Sequence, residues 1–218
     1  MPPAELACLL YEAARVDGWA SSDLLHRAVL RRLGRRRLTT RAAETLTHVL
    51  PLARMVGGIG KQIDALVTAY RSGGGVSWAE FGDDLREGQA AANRPLFLGA
   101  LPREYLPSIP EVAAVLSAGG RIADIGCGGG WSSIGIALAH PGVTVDGYDV
   151  DGPSIEAART NAVEAGVSDR VHFHTDSAAG AEGRYDLVAA FECIHDMPDP
   201  VSVLVAMREL AQPDGISW

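Results

Sequence analysis

The sequence predicts an α/β chain, a doubly wound parallel sheet that follows an N-terminal helical region. Three observations carry this. Short apolar strands alternate with helical stretches from Arg121 onward; the first strand runs into a glycine-rich turn that opens a helix; and the first seventy residues show only helical periodicity.

The first strand, Arg121 to Ile125, lies between Gly119-Gly120 and the turn Gly126-Cys127-Gly128-Gly129-Gly130, and a helix from Ser132 to Ala139 ends at His140-Pro141-Gly142. Glycines let the backbone take positive φ and approach a ligand closely. The free N–H groups opening the next helix then point at whatever lies there. A second strand from Val143 ends at Asp149, and a helix from Pro153 to Ala165 follows, closed by Gly166. Asp149 follows the glycine turn by about 20 residues, the distance at which an acid accepts hydrogen bonds from ribose hydroxyls. Asp151 reads as a loop acid or a helix N-terminal charge. A third strand, Arg170 to His174, leads to Asp176-Ser177, and a fourth, Tyr185 to Phe191, leads to Glu192-Cys193-Ile194-His195-Asp196-Met197. An amphipathic helix from Pro200 to Ala211 and the turn Gln212-Pro213-Asp214-Gly215 close the series. His172 and His174 share a strand face with no third partner and read as surface residues.

The turn is not a dinucleotide fingerprint. G-x-G-x-x-G counted from Gly126 puts Trp131 where the third glycine should be, so the close helix-to-strand contact of that glycine is expected to be lost. The pattern is D-x-G-x-G-x-G, beginning at Asp124, and with the three later strand ends it resembles the class I S-adenosylmethionine-dependent methyltransferases. The ordered matches run from Arg121 to Gly215. That resemblance implies a Rossmann-like methyltransferase sheet and S-adenosyl-L-methionine as cofactor. It implies cofactor contacts at Asp124, Gly126, Cys127, Gly128, Asp149, Val150, Asp176, Ser177, Phe191 and Glu192. Asp124 then serves the methionine end, Asp149 the ribose and Asp176 the adenine amino group. Methyl transfer chiefly requires alignment of the acceptor with the carbon–sulfur bond, worth roughly 7–11 kcal/mol. A hydroxyl acceptor also needs a base; His195 is the candidate, with Asp196 to orient it or to act alone.

The family sheet has seven strands in the order 3-2-1-4-5-7-6, whereas this sequence stops at Ile216-Ser217-Trp218. The expectation is therefore a sheet incomplete at the C-terminus, with strand four left as an edge. Residues 1–72 are expected to form a helical region, which the resemblance implies is winged-helix-like and a candidate homodimerisation region, joined by Arg71-Ser72-Gly73-Gly74-Gly75 to a cofactor-binding domain at 76–218. Within the helical region Gly18, Gly34, Pro51 and Gly57-Gly58 are read as helix breaks. A further helix is expected from Leu106 to Leu116, opening near Ser108.

A net charge of −8 argues against attraction to nucleic acid, and no stretch approaches 18 apolar residues. The cluster Arg27, Arg31, Arg32, Arg35, Arg36, Arg37 and Arg41 reads as a solvated helix face, because eighteen arginines stand against one lysine throughout. Three cysteines without metal-ligand spacing suit a cytoplasmic setting and imply no metal centre. The expected activity is methylation of an oxygen or nitrogen of a small-molecule metabolite. The competing readings are an S-adenosylmethionine-binding module without catalysis and, disfavoured by Trp131, an NAD-dependent oxidoreductase.

Overall fold

The computed structural model describes residues 2–17, 22–35 and 39–218, with the side chains of 15–17 and 22–23 left aside. The expected break at Gly18 and the basic residues Arg36 and Arg37 lie outside the described residues. The chain divides into two compact units, Met1–Ala92 and Asn93–Trp218.

The first unit is helical: α1 (Pro3–Asp17), α2 (Ser22–Arg32), α3 (Thr40–Lys61), α4 (Ile63–Ser72) and the first two-thirds of α5 (Trp78–Leu98). Leu6, Leu10, Ala13 and Ala14 of α1 pack with Leu25, Ala28 and Val29 of α2 and with Leu46, Val49 and Ala53 of α3. The helical spacing thus reports the core. Two readings need correction. Pro51 and Gly57-Gly58 do not break the chain; α3 runs through all three. The glycines are contact residues, because a Cβ at Gly57 would run into the Tyr11 ring and one at Gly58 into Leu85. Close packing of helices outweighs their low helix propensity. The expected linker does end a helix, with Gly73 left-handed at φ 78°, yet the unit boundary falls about twenty residues later. The start of α5 belongs to the first unit: Asp84 pairs with Lys61 at 2.5 Å, and Gly88 lies against the backbone of Pro51 and Met55. Ser77 and Glu80 cap this helix reciprocally, the Ser77 N–H and hydroxyl donating to Glu80 Oε2 at 2.8 and 2.7 Å.

The second unit contains the end of α5, irregular helical turns at 101–108, and α6 (Pro110–Ala118). Pro107 and Pro110 lack N–H donors, and α6 opens only at Pro110 rather than at Leu106. There follow β1 (Arg121–Ile125), α7 (Trp131–Ala139), β2 (Thr144–Asp149), α8 (Gly152–Glu164), β3 (Val171–Thr175), β4 (Tyr185–Ala190), α9 (Pro200–Leu210) and β5 (Ala211–Ser217). The strands form one parallel sheet in the order β3-β2-β1-β4-β5. One face carries Ile122, Val145, Phe173, Leu187 and Ala189 under α6, α7 and α8; the other carries Ala123, Ile125, Tyr148, Tyr185 and Val188, with Met207 and Leu210 of α9.

The sequence placed β4 at an edge, and this is also corrected. β5 pairs with it, Ile216 opposite Leu187 and Ser217 opposite Val188; the Trp218 N–H donates to Val188 O and the Ala190 N–H to Trp218 O. The expected turn 212–215 interrupts β5: the register steps from Ala211 opposite Tyr185 to Ile216 opposite Leu187, and Gly215 folds back against Gln212 and Tyr185 O. The less covered part of the sheet is elsewhere. No helix joins β3 to β4, and over β2 and β3 the sheet presents polar groups in place of an apolar layer. Asp146 accepts from Arg121 at 2.8 Å and from the Tyr185 hydroxyl at 3.1 Å, pairs with His174 at 3.2 Å, and Tyr148 stacks on His174 with centroids 4.8 Å apart. His172 is exposed as expected, whereas His174 belongs to this network.

Candidate cofactor and active site

From β1 the chain crosses to β2 and then β3 on one side, and from β3 it returns to β4 on the other side of β1. The crevice outside the carboxyl ends of β1 and β4 is therefore the topological switch point where ligands of such sheets bind. The expected residues stand there: Asp124 at the end of β1, Asp149 at the end of β2, Asp176-Ser177 after β3, and Phe191 to Asp196 after β4.

The glycine loop is held from beneath. Gly126 and Cys127 donate N–H bonds to Tyr148 O at 2.8 and 3.1 Å, and Asn161 Nδ2 of α8 donates to Gly129 O at 2.9 Å. Gly126, Gly128 and Gly130 have φ of 70°, 51° and 77°, a region that L side chains avoid. Their surroundings differ. A Cβ on Gly126 would meet Cys193, and one on Gly130 would meet Phe173 and Ala158, whereas one on Gly128 would meet nothing within 4 Å. Gly130, one residue before the position of a fingerprint's third glycine, is thus a close-packing residue at the start of α7, set against the Phe173 ring of β3 and Ala158 of α8. Trp131 instead lies beneath the Arg94 guanidinium, 4.0 Å from its centroid.

Both oxygens of Asp149 organise backbone. Oδ2 accepts from the Gly128 N–H at 2.8 Å and Oδ1 from the Asp151 N–H at 2.9 Å. Burial pushes its pKa up, and these N–H groups pull it back. Asp151 caps α8, accepting from the N–H and hydroxyl of Ser154 at 3.0 and 2.7 Å, so its helix-terminal reading holds. Val150 between them is 70% exposed, an apolar surface beside the loop. Asp124 is fully buried; its Oδ2 accepts from the hydroxyls of Ser132 and Ser133, each at 2.6 Å, and its Oδ1 has no partner. Burial lifts its pKa to about 6 against the pull of the two serines. Asp176 and Ser177 are exposed, Asp176 Oδ1 accepting from the Ser177 N–H at 2.7 Å.

After β4 the chain turns sharply. Glu192, at φ 55°, is the one non-glycine residue with positive φ among the described residues, a conformation that costs about 1–2 kcal/mol. It leads to Cys193, whose thiol donates to Ile125 O at 3.1 Å and whose pKa burial pushes up to about 12. Burial likewise raises the Cys127 thiol. The Phe191 ring lies between Phe97 and Trp218, at 6.3 and 5.8 Å. His195 and Asp196 form an exposed pair, Nε2 to Oδ1 3.5 Å, in a short helical turn. Among the described residues no group of His, Cys, Asp and Glu could hold a metal ion, and no helix is long and apolar enough to cross a membrane.

A family model described as a methyltransferase domain matches residues 123–217, the stretch from β1 through β5 that holds this crevice. Residues 123–217 thus carry a methyltransferase domain. Ubiquinone biosynthesis O-methyltransferase of Bordetella pertussis is 40% identical to this chain over 111 residues, covering 49% of this chain and 44% of the relative. The protein of the same name from Thiobacillus denitrificans is 36% identical over 100 residues, covering 45% and 42%. The chain thus spans less than half the length of these curated relatives. Among solved structures, mitomycin 7-O-methyltransferase MmcR has the same fold, with a TM-score of 0.56 and 19% identity over 98% of this chain and 75% of that one.

Four residues of the site escaped the sequence reading. Ser132 and Ser133 stood in the motif but read as the start of a helix; that a strand–turn–helix returns them to the strand end was the available signal. Asn161 and Arg94 carried none.

Proposed function

We propose that this chain transfers a methyl group from S-adenosylmethionine to an oxygen of a small-molecule metabolite, with nitrogen as the other acceptor considered. The single observation that carries the reading is the crevice: a glycine loop with clear space over Gly128, tied to a ribose-distance acid by the Gly128–Asp149 hydrogen bond. The relatives named for O-methylation favour oxygen. The residues fit the cofactor. Asp149 accepts from the ribose hydroxyls, Val150 gives the adenine an apolar surface, and Asp176 with Ser177 meets its amino edge. Gly126, Cys127 and Gly128 line the loop, Asp124 offers its unpartnered Oδ1 to the methionine end, and Phe191 and Glu192 stand beside the reacting end. When bound, the cofactor supplies a methyl group already activated by its sulfonium. This chain's own task is to seat the acceptor and remove its proton: His195 takes it at Nδ1, the ring nitrogen not turned to Asp196, and Asp196, beside Nε2, steadies the imidazolium that forms.

Calorimetry with S-adenosylhomocysteine tests the reading. The expected result is binding by the wild type and a Kd raised about tenfold to a hundredfold in Asp149→Ala, since hydrogen bonds to charged groups are worth about 1.5–3 kcal/mol. His195→Ala is expected to slow methylation of a hydroxyl acceptor by about 10²–10⁴-fold with that Kd unchanged. Wild-type protein that does not bind S-adenosylhomocysteine overturns the proposal. Three cysteines and no metal-ligand spacing support a cytoplasmic setting. A homodimer through the helical unit is supported by Leu52, Val56, Ile59, Ile63, Val67 and Tyr70, 38–93% exposed and three or four residues apart along α3 and α4. Light scattering tests it: the dimer mass is expected, and its loss in Val67→Asp.

A further inference from the structure

The geometry points to Ser132 and Ser133 as positioning residues that keep Asp124 ionised for a cationic ligand at the glycine loop, an inference that rests on the cofactor reading above. α7 begins at Trp131 after Gly130, which has no side chain to cap it, so the acceptor for its first turn comes from β1. Both serine hydroxyls converge on one oxygen, Asp124 Oδ2, at 2.6 Å, the short distance of a hydrogen bond to an ionised acceptor. Ser132 and Ser133 are themselves 2% and 0% exposed, so neither hydroxyl has water as an alternative. Oδ1 is equally buried and bonds nothing. A buried carboxylate oxygen without a donor is costly, and a cationic ammonium group, such as the one S-adenosylhomocysteine carries, supplies both the missing donor and the missing charge.

The groups around Asp124 otherwise favour its neutral form. From β2 comes the carboxylate of Asp149, and from the loop and the turn after β4 come Cys127 and Cys193, whose burial keeps them as thiols. In the sheet Asp124 is flanked by Gly147 and Ala189, which bring no charge, and α7 brings the two serine side chains together with the Ser133 backbone N–H, which also favours the ionised form. The serines are thus the side chains that oppose desolvation. Without them Asp124 protonates at a higher pH, and a neutral acid no longer balances a cation.

The test measures Asp124 directly and the ligand separately. Its carboxyl carbon is titrated by NMR in the ligand-free wild type and in Ser132→Ala, Ser133→Ala and the double variant, and the Kd of S-adenosylhomocysteine is measured from pH 5 to 8. The expected midpoint is about 6 in the wild type. It should rise by about one unit or more in the double variant, and the pH at which affinity is lost should rise with it. The double variant should then bind about tenfold weaker near pH 6 and nearly normally at pH 8. Ser132→Thr, which keeps a hydroxyl, should retain the wild-type midpoint, and Asp124→Asn should bind weakly without pH dependence in this range. An unmoved midpoint with normal wild-type binding overturns the serine proposal alone. So does a loss of affinity equal at every pH, the mark of a packing role. A midpoint that rises in the double variant, together with a wild type that binds no S-adenosylhomocysteine, overturns the cofactor reading instead, and with it the ligand assigned to Oδ1.

Discussion

At the residue scale, the glycines of one loop do different jobs. Gly130 lies against Phe173 and Ala158, so a methyl group there meets an aromatic ring from a neighbouring strand as well as an unfavourable φ. Gly128 has the same kind of φ but open space. We therefore expect Gly130→Ala to destabilise the fold by about 2–4 kcal/mol, through overpacking added to left-handed strain. Gly128→Ala is expected to cost about 1–2 kcal/mol. For ligand binding the order reverses. Gly128→Val should weaken S-adenosylhomocysteine binding at least tenfold in a protein that remains folded, because the branched side chain takes the space above the loop. Thermal melts and calorimetry on the three variants check both orders. Equal melting losses for the two alanine variants, or wild-type affinity in Gly128→Val, would show that the loop does not divide its roles this way.

At the scale of elements, the β3–β4 connection has no helix, and a polar network takes the place of an apolar layer on that side of β2 and β3. Asp146 is its centre. Burial raises the carboxyl's pKa, but Arg121, His174 and Tyr185 together outweigh burial and hold it below the usual carboxylate value. The sign follows: a group whose folded pKa is depressed stabilises the protein above the ordinary carboxylate range, and that stabilisation fades as pH falls through the folded pKa. Asp146→Asn should therefore lower the melting temperature at pH 7, by about 1–2 kcal/mol in stability, since Arg121 and His174 are nearly half exposed and water screens their share. The gap between variant and wild type should narrow below about pH 4. A gap that is constant from pH 7 to pH 3 would mean that charge plays no part in the network. This element also shows what patterning misses. His172 and His174 alternate on a strand like any two surface residues, and only Tyr148 and Asp146 of the neighbouring strand β2 turn one of them into a structural partner.

At the scale of the whole molecule, every residue proposed to touch the cofactor lies in the unit Asn93–Trp218. We expect a fragment of residues 93–218 to fold and to bind S-adenosylhomocysteine within about tenfold of the full chain, with the hydrogen-bond and charge contacts that carry the binding intact. Circular dichroism and calorimetry on the fragment check this. A folded fragment that does not bind would show that the helical unit contributes directly to the cofactor site.

The sequence by itself determined the local elements and the chemistry at their ends. Strand patterning, the glycine turn and the acid at ribose distance are short-range signals, and they located β1 to β4, α7 to α9 and the loop that joins Asp124 to Asp149. Contacts between residues distant in the chain were decided by the tertiary structure. Pro51 and Gly57-Gly58 read as breaks because propensity is local; the Tyr11 and Leu85 surfaces that make the glycines favourable lie 46 and 27 positions away. β4 read as an edge because the strand that pairs with it is interrupted by a turn, and only the cross-strand pairing shows that the chain returns to β4 beyond that turn. Asp124 read as a ligand contact alone, whereas packing α7 against β1 brings two serine hydroxyls onto one of its oxygens and leaves the other free. Burial is a property of the assembled fold, and it sets the ionisation of that carboxylate, which residue spacing does not encode.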